Sequence, residues 1–189
     1  MGKKNADEMN IWTVEEFDKF IEAVSNKPTS VVIFNLLFWT GIRSGEMFAL
    51  TIDDFDFKNH TVSISKNYAR QNKEDLILPP KTPKSKRVVT LPKFLSDMVK
   101  DYSNTIYVTD LNGRIFTQTK HYLLHEMNRD CKLSGVKRIR VHDLRHPYVK
   151  HTTKKYNSEK QKTQATKMDL IAWVFRFCTF NYSKRSWTL

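Results

Sequence analysis

The sequence predicts an α+β domain that is mostly helical and contains a small antiparallel sheet. Apolar residues recur at helical spacing before residue 50 and again after residue 92, and between them, from Thr61, apolar and polar residues alternate as in strands. The chain has 189 residues, of which 40% are hydrophobic, enough for one sizeable core. The order helices, strands, helices therefore predicts a single domain with the sheet in its middle.

The first fifty residues predict three helices. Thr13 and Glu16 have the spacing of a capping box, and an apolar stripe follows them along the first helix. The stretch "TSVVIFNLLFWTG" (29–41) is almost entirely apolar, which predicts a buried helix that ends at Gly41. After a tight turn, "RSGEMFAL" (43–50) predicts a short third helix.

The middle of the chain predicts strands, and helices return after it. The segments "TVSISKNY" (61–68), "LIL" (76–78) and "RVVTLP" (87–92) have strand patterns, and the charged "PPKTPKSKR" between the last two predicts a hairpin turn. Pro92 then lies in the first turn of a predicted helix, "PKFLSDMVKDY". A second helix is predicted from Thr119 to the neighbourhood of Gly135.

The charge of the chain predicts a polyanionic partner. Lys and Arg total 32 against 20 Asp and Glu, a formal net charge of +12, and nucleic acid is the partner that best matches such an excess. The alternative is a basic protein whose charge only keeps it soluble. The two cysteines form no disulfide framework and no metal-ligand spacing, and the chain has no signal peptide, so we expect a cytoplasmic protein. The apolar stretch 170–180 is too short to span a membrane and contains Arg176, so no membrane partner is expected.

The segment "HDLRH" combines two histidines and an arginine within five residues. On a helix, His142, Arg145 and His146 would share one face, which fits a metal site, a polar core or a phosphate-binding site. The metal alternative lacks the glutamate of the H-E-x-x-H motif, and Arg145 would repel a divalent cation. We therefore expect no metal at this segment. In the second alternative the histidines only fill a polar core.

The phosphate alternative requires further fixed positive charge. A guanidinium group binds two phosphate oxygens and keeps its proton, and a lysine or histidine can add proton transfer. Arg43 follows the predicted buried helix directly, and Lys81 lies in the predicted hairpin turn. The partners that this chemistry needs are thus present in the sequence.

Three segments together resemble the catalytic domain of the tyrosine recombinases, the phage integrase family, and especially the integrases of mobile elements of Gram-positive bacteria. They are "TGIRSGEMFALTIDDFDF", "KTPKSKRVVTLP" and "RVHDLRH", and they occur in the order of the family motifs. A basic RNA-binding or structural protein with chance matches is a third alternative. Because the family has DNA-binding regions before this domain, we expect the sequence to represent an isolated catalytic domain with weaker DNA affinity.

The resemblance implies a site and a reaction. Arg43, Lys81, His142 and Arg145 match the catalytic residues, and Lys84 and Lys86 are alternatives to Lys81 in the same turn. The implied reaction is site-specific DNA strand exchange through a 3′-phosphotyrosine intermediate, on double-stranded DNA, by a homo-oligomer, with neither a cofactor nor a small-molecule substrate. The residues that would bind DNA or support the catalytic set are Glu46, Lys84, Lys86, Arg87 and His146.

The resemblance ends at Pro147. The family's L-G-H block and its nucleophilic tyrosine have no clear counterpart after this residue, and Tyr182 is the best candidate nucleophile. We therefore predict three regions: a polar lead-in (1–10), the recombinase core (11–146) and an atypical basic tail (147–189). A change of reading frame after residue 146 would explain the tail, and a catalytically inactive DNA-binding module is the alternative function.

Overall fold

The computed structural model describes residues 11–72, 74–80, 85–106 and 113–145. Helices lie at both ends of this part of the chain and strands lie between them, which confirms the predicted α+β class with a small antiparallel sheet. The helices are α1 Val14–Val24, α2 Pro28–Thr40, α3 Ser44–Phe48, α4 Lys93–Thr105 and α5 Lys120–Ser134, with 3₁₀ turns at Ile52–Asp54 and Val141–Arg145. The strands are β1 Phe55–Asp56, β2 Thr61–Ile64, β3 Asn67–Gln71, β4 Glu74–Leu78 and β5 Arg87–Thr90.

Helix α1 begins with the predicted capping box. The Thr13 hydroxyl accepts a hydrogen bond from the amide of Glu16 at 3.2 Å, and the Glu16 carboxylate accepts one from the amide of Thr13 at 2.8 Å. Two of the amide groups that a helix start leaves unpaired are therefore satisfied.

We expect Thr13→Ala to lower the free energy of unfolding by about 1 kcal/mol, because the amide of Glu16 loses its acceptor. Urea denaturation of the wild type and the variant measures the difference. Thr119→Ala is the comparison: Thr119 caps α5 through a longer hydrogen bond of 3.4 Å, so its loss should cost less. A Thr13 variant as stable as the wild type would contradict the predicted contribution of this cap.

Helix α2 is the centre of the core. Its residues from Ser30 to Thr40 are all buried, as its apolar sequence predicts, and the ring of Phe38 stacks on Phe17 of α1 with 3.8 Å between centroids. The helix ends at Gly41, whose φ of 63° lies in the left-handed region that glycine adopts without strain. The buried helix therefore fixes the position at which the residues after Gly41 begin.

The strands form two separate sheets, which corrects two predictions. The predicted strand 61–68 is two strands: β2 lies in a sheet of order β1-β2-β5, whereas β3 pairs only with β4. The predicted hairpin between "LIL" and "RVVTLP" is also wrong, because β5 pairs with β2, with Val62 opposite Val89. The physical reason is that alternation marks the face a strand buries but not the strand it pairs with.

The last two helices close the fold. Pro92 is the residue before α4 rather than its first residue, and α5 runs from its Thr119 cap to Gly135, which has a φ of 68°. The indole N–H of Trp12 donates to the carbonyl of Lys137 at 2.7 Å, so the start of the described chain is tied to the segment after α5. No helix within the described ranges is long and apolar enough to cross a membrane, and the apolar stretch 170–180 lies outside them.

Candidate functional site

The site is built around Glu46, a buried carboxylate in α3. The chain turns at Gly41 and enters α3 three residues later, at Ser44, so that Arg43 is the residue preceding the helix. The Arg43 amide donates to Oε2 of Glu46 at 2.7 Å, and its Nη1 donates to Oε1 at 2.9 Å. The carboxylate, only 5% exposed, therefore holds both the main chain and the side chain of Arg43.

Arg87 of β5 binds the same carboxylate from the sheet. Its Nη1 donates to Oε1 of Glu46 at 3.0 Å and its Nη2 donates to Oε2 at 2.8 Å, the two-point geometry of a strong ion pair. Nη1 also donates to the carbonyl of Ser85 at 3.2 Å. Arg87 thus joins α3 to the end of the connection that leads into β5.

Arg145 reaches the site from the 3₁₀ turn Val141–Arg145. Its Nε donates to the carbonyl of Gly41 at 2.6 Å, so the side chain lies at the end of α2, next to the start of α3. Burial and then the like charge of Arg43 lower the pKa of the Arg145 guanidinium, while Glu46 acts in the opposite direction. Arg43 and Arg145 therefore lie on the same side of the molecule and affect each other electrostatically.

The charges of the arginine cluster, which consists of Arg43, Arg87 and Arg145 around Glu46, favour the binding of an anion. Burial alone would raise the pKa of Glu46, but hydrogen bonds from Arg87 and Arg43 outweigh it and hold the pKa at about 2. Glu46 is thus ionised at neutral pH, and one carboxylate faces three guanidinium groups. Since the Arg43 side chain remains 54% exposed, the excess positive charge is accessible to a phosphate group.

His142 lies beside Arg145 on the same turn. The turn is a 3₁₀ helix, and because residues at i and i+3 coincide in a 3₁₀ helix, these two side chains share a face. His142 is exposed, so the polar-core alternative is wrong for this histidine. Asp143, which is buried, accepts two hydrogen bonds from the guanidinium of Arg140, at 2.9 and 3.0 Å, and this pair holds the turn.

The structure describes only part of the predicted site. Lys86 is exposed and directly precedes Arg87. Within the described ranges, no group of three or more His, Cys, Asp or Glu residues could hold a metal ion. Lys81, Lys84, His146 and Tyr182 lie outside the described residues, and their place in the site stays a prediction.

Some contacts of the site have no clear signal in the sequence. The carbonyl of Gly41 as a partner of Arg145 is one, because a main-chain acceptor leaves no pattern. The pairing of Arg140 with Asp143 could have been proposed from their i, i+3 spacing, which is that of ion pairs within one helical turn.

Comparison with known protein families matches residues 11–159 to the phage integrase family. The chain belongs to the phage integrase family. This match makes the third alternative, a basic protein with chance motifs, wrong. It also supports the resemblance on which the sequence-based site was assigned.

Two curated proteins are similar to the chain in sequence. It is 26% identical over 155 residues to the ICEBs1 integrase of Bacillus subtilis (strain 168), covering 75% of this chain and 42% of that protein. It is 26% identical over 173 residues to a tyrosine recombinase XerC-like protein of Caldanaerobacter subterraneus subsp. tengcongensis, covering 78% and 44%. The chain therefore spans less than half the length of these curated relatives.

Solved structures of two proteins named as an integrase and a recombinase share the fold of this chain. The Tn1549 transposon integrase in complex with a circular intermediate DNA matches with a TM-score of 0.65 at 15% identity, covering 77% of this chain and 53% of that chain. The XerA recombinase matches with a TM-score of 0.56 at 20% identity, covering 73% and 48%. The arginine–glutamate cluster thus lies in a phage integrase fold.

Proposed function

We propose that this phage integrase domain is the catalytic domain of a site-specific DNA recombinase that acts on double-stranded DNA. The observation that carries the proposal is the cluster in which Arg43 and Arg87 bind Glu46 and Arg145 lies beside them. Such preorganised positive charge stabilises the oxygens of a phosphoryl group as they become more negative in the transition state.

In the proposed reaction, a tyrosine oxygen forms a bond to the scissile phosphorus, and the bond from phosphorus to the 5′ oxygen breaks. Arg43 and Arg145 bind the non-bridging oxygens, and Glu46 holds Arg43 with support from Arg87. Lys81 donates a proton to the departing 5′ oxygen, and His142, with support from His146, assists proton transfer. The 5′ hydroxyl of another strand then attacks the phosphotyrosine, so strand exchange needs no metal or other cofactor.

The nucleophile is Tyr182 in this proposal. The family match stops at residue 159, before this tyrosine, and this observation favours a second candidate function: a DNA-binding module of the same fold that does not cleave. A change of reading frame after residue 146 would account for such a module. Translating the other two frames of the gene past that codon tests this explanation, which fails if neither frame contains a G-H block followed by a tyrosine.

The proposed partner is double-stranded DNA. The Tn1549 integrase and the XerH recombinase, which share the fold, were solved in complex with DNA, and the excess of 32 Lys and Arg over 20 Asp and Glu favours such a partner. We also propose that the chain forms a homo-oligomer on DNA, acts in the cytoplasm and has its recombinase core within residues 11–146.

A suicide DNA substrate tests the reaction. It carries a nick near the cleavage site, so that cleavage releases a short strand and leaves the protein joined to DNA. We expect a covalent protein–DNA band on denaturing electrophoresis, which Tyr182→Phe abolishes, whereas the control variants Tyr148→Phe and Tyr156→Phe retain it.

Each of the other possible results of this experiment supports or contradicts a specific part of the proposal. An adduct that survives Tyr182→Phe contradicts Tyr182 as the nucleophile. No adduct from a wild-type chain that still binds duplex DNA in a salt-sensitive manner supports the DNA-binding module. A chain that neither cleaves nor binds duplex DNA overturns both functions.

A further inference from the structure

The hairpin β3–β4 lies against α3, next to the site, but outside the three-stranded sheet. It pairs with neither β2 nor β5, and of its described residues only Tyr68 is fully buried. A two-stranded hairpin alone is marginally stable in water. Contacts with the rest of the fold must therefore determine where this hairpin lies.

Arg114 supplies such a contact. Its side chain is only 3% exposed, and its Nη2 donates to Oδ2 of Asp75 on β4 at 2.9 Å. Its guanidinium carbon lies 4.7 Å from the centroid of the Tyr68 ring on β3, and the Tyr68 hydroxyl donates to Oδ1 of Asp75 at 2.8 Å. One buried arginine thus contacts both strands of the hairpin, and the two residues that it contacts bind each other.

The main chain around Arg114 is hydrogen-bonded to the segment that follows α3. Gly113, with a φ of 67°, turns the chain so that Arg114 forms a β-bridge with Thr51. The amide of the next residue, Ile115, donates to the carbonyl of Leu50 at 3.0 Å. Leu50 and Thr51 come just after Ala49, the residue that caps the end of α3, the helix that carries Glu46. Arg114 therefore connects the hairpin to the segment that positions the arginine cluster.

Helix α3 also contacts the hairpin directly. A Cβ atom on Gly45 would lie 2.5 Å from the side-chain oxygen of Asn67 and 3.0 Å from the carbonyl of Tyr68, so glycine permits the close approach of α3 to β3. The rings of Phe48 and Tyr68 meet with 5.7 Å between centroids. Contacts at both ends of α3 thus face the same hairpin.

The position of the hairpin affects the site because the chain continues from the end of β4 to Arg87, which binds Glu46. The connection from Leu78 to β5 carries the lysine that the proposed function assigns to proton donation, and it ends at Ser85 and Arg87 on the Glu46 side. We propose that Arg114 is a positioning residue that locks the hairpin to α3, so that this connection starts from a fixed place relative to Arg43. The proposal rests on the proposed function.

A buried charged residue at this position is better explained by a positioning role than by a contribution to stability. A buried ion pair is often no more stabilising than apolar residues of similar volume, because both charges lose their hydration. What the Arg114–Asp75 pair adds is direction, since the hydrogen bond to Asp75 and the contact with the Tyr68 ring together define one orientation of the hairpin. Because Arg114 is buried, it cannot itself bind a DNA phosphate.

The test compares the wild type with Arg114→Met in two measurements. Hydrogen exchange of peptides from residues 67–78 is expected to accelerate about tenfold or more in the variant, because the hairpin opens locally. Duplex DNA affinity, measured by fluorescence anisotropy at several salt concentrations, is expected to fall about fivefold. The salt slope, which is the slope of the logarithm of the binding constant against the logarithm of the salt concentration, is expected to become shallower by about the amount that corresponds to one lost phosphate contact. Arg114 makes no phosphate contact of its own, so a shallower slope that Asp75→Asn reproduces with the opposite change of charge reports the displacement of groups that do bind phosphate.

Further variants separate positioning from general destabilisation. Asp75→Asn should reproduce both effects, and the double variant should lose no more than either single variant, since the two residues act through one pair. Arg129→Met is the matched control: Arg129 forms ion pairs with Glu126 and Asp130 on α5 and should leave the salt slope unchanged.

The outcomes keep the two proposals apart. Unchanged exchange of the hairpin in Arg114→Met overturns the lock. Faster exchange with an unchanged salt slope gives Arg114 a structural role only and overturns its positioning role. A wild-type chain that binds no duplex DNA removes the proposed function and the positioning role with it, while the exchange measurement still decides whether Arg114 holds the hairpin.

Discussion

Arg145→Ala is expected to weaken duplex DNA binding about tenfold or more and, where the chain cleaves DNA, to slow formation of the covalent adduct at least about 100-fold. The guanidinium of Arg145 is half of the pair that the proposal places on the non-bridging oxygens. Its Nε is already bound to the carbonyl of Gly41, so its remaining N–H groups are held in a fixed direction. Anisotropy titrations at several salt concentrations and the suicide-substrate assay measure the two effects.

Two further variants show whether the loss reflects the site. Arg145→Lys keeps the charge but loses the planar fork, so the salt slope should stay near that of the wild type while adduct formation remains slow. Arg138→Ala removes an exposed arginine outside the cluster, which bonds Asn128, and should reduce affinity only slightly. An Arg145→Ala variant that binds and cleaves like the wild type would remove Arg145 from the proposed site.

The helices could be predicted from the sequence because their signals are local. The capping box at Thr13, the apolar run of α2 and the glycines that end α2 and α5 each depend on residues within a few positions of one another. The sheet could not be predicted to the same depth. Which strand β5 pairs with depends on contacts between distant segments, and the turn residues around 79–87 do not determine that choice.

The site follows the same division. Arg43, Glu46, His142 and Arg145 belong to short motifs, so a sequence resemblance is enough to propose them as site residues. The contacts that bring these residues together cannot be predicted from the motifs, because they join distant parts of the chain. Arg87 contacts Glu46 from 41 positions away, and Arg145 contacts Gly41 from 104 positions away. No motif marks Arg114 in the sequence, because its role comes from burial against a hairpin that is paired differently than predicted.

Glu46→Gln is expected to lower the free energy of unfolding at pH 7 by about 3 kcal/mol. In the folded chain the pKa of Glu46 is about 2, against an ordinary value of 4.5, because hydrogen bonds from Arg87 and Arg43 overcome the effect of burial. A carboxyl whose pKa is lower in the folded state stabilises the fold above its unfolded pKa. That stabilisation is lost as the pH falls from about 4.5 towards 2, where the folded state also takes up the proton.

The stability difference between the wild type and Glu46→Gln should therefore depend on pH. Urea denaturation at pH 7, 4.5 and 3 is expected to show a difference that is full at pH 7 and shrinks at each acidic step, since glutamine has no charge to lose. Glu22→Gln, at an exposed position of α1, is the matched control and should change stability by less than about 0.5 kcal/mol at pH 7. Two stability curves that run parallel from pH 7 to pH 3 would show that the Glu46 carboxylate does not hold the arginine cluster through its charge. The two-point contacts of Arg87 and Arg43 would then act only as neutral hydrogen bonds, and the preorganised positive charge on which the proposed reaction depends would have no stabilising counter-ion.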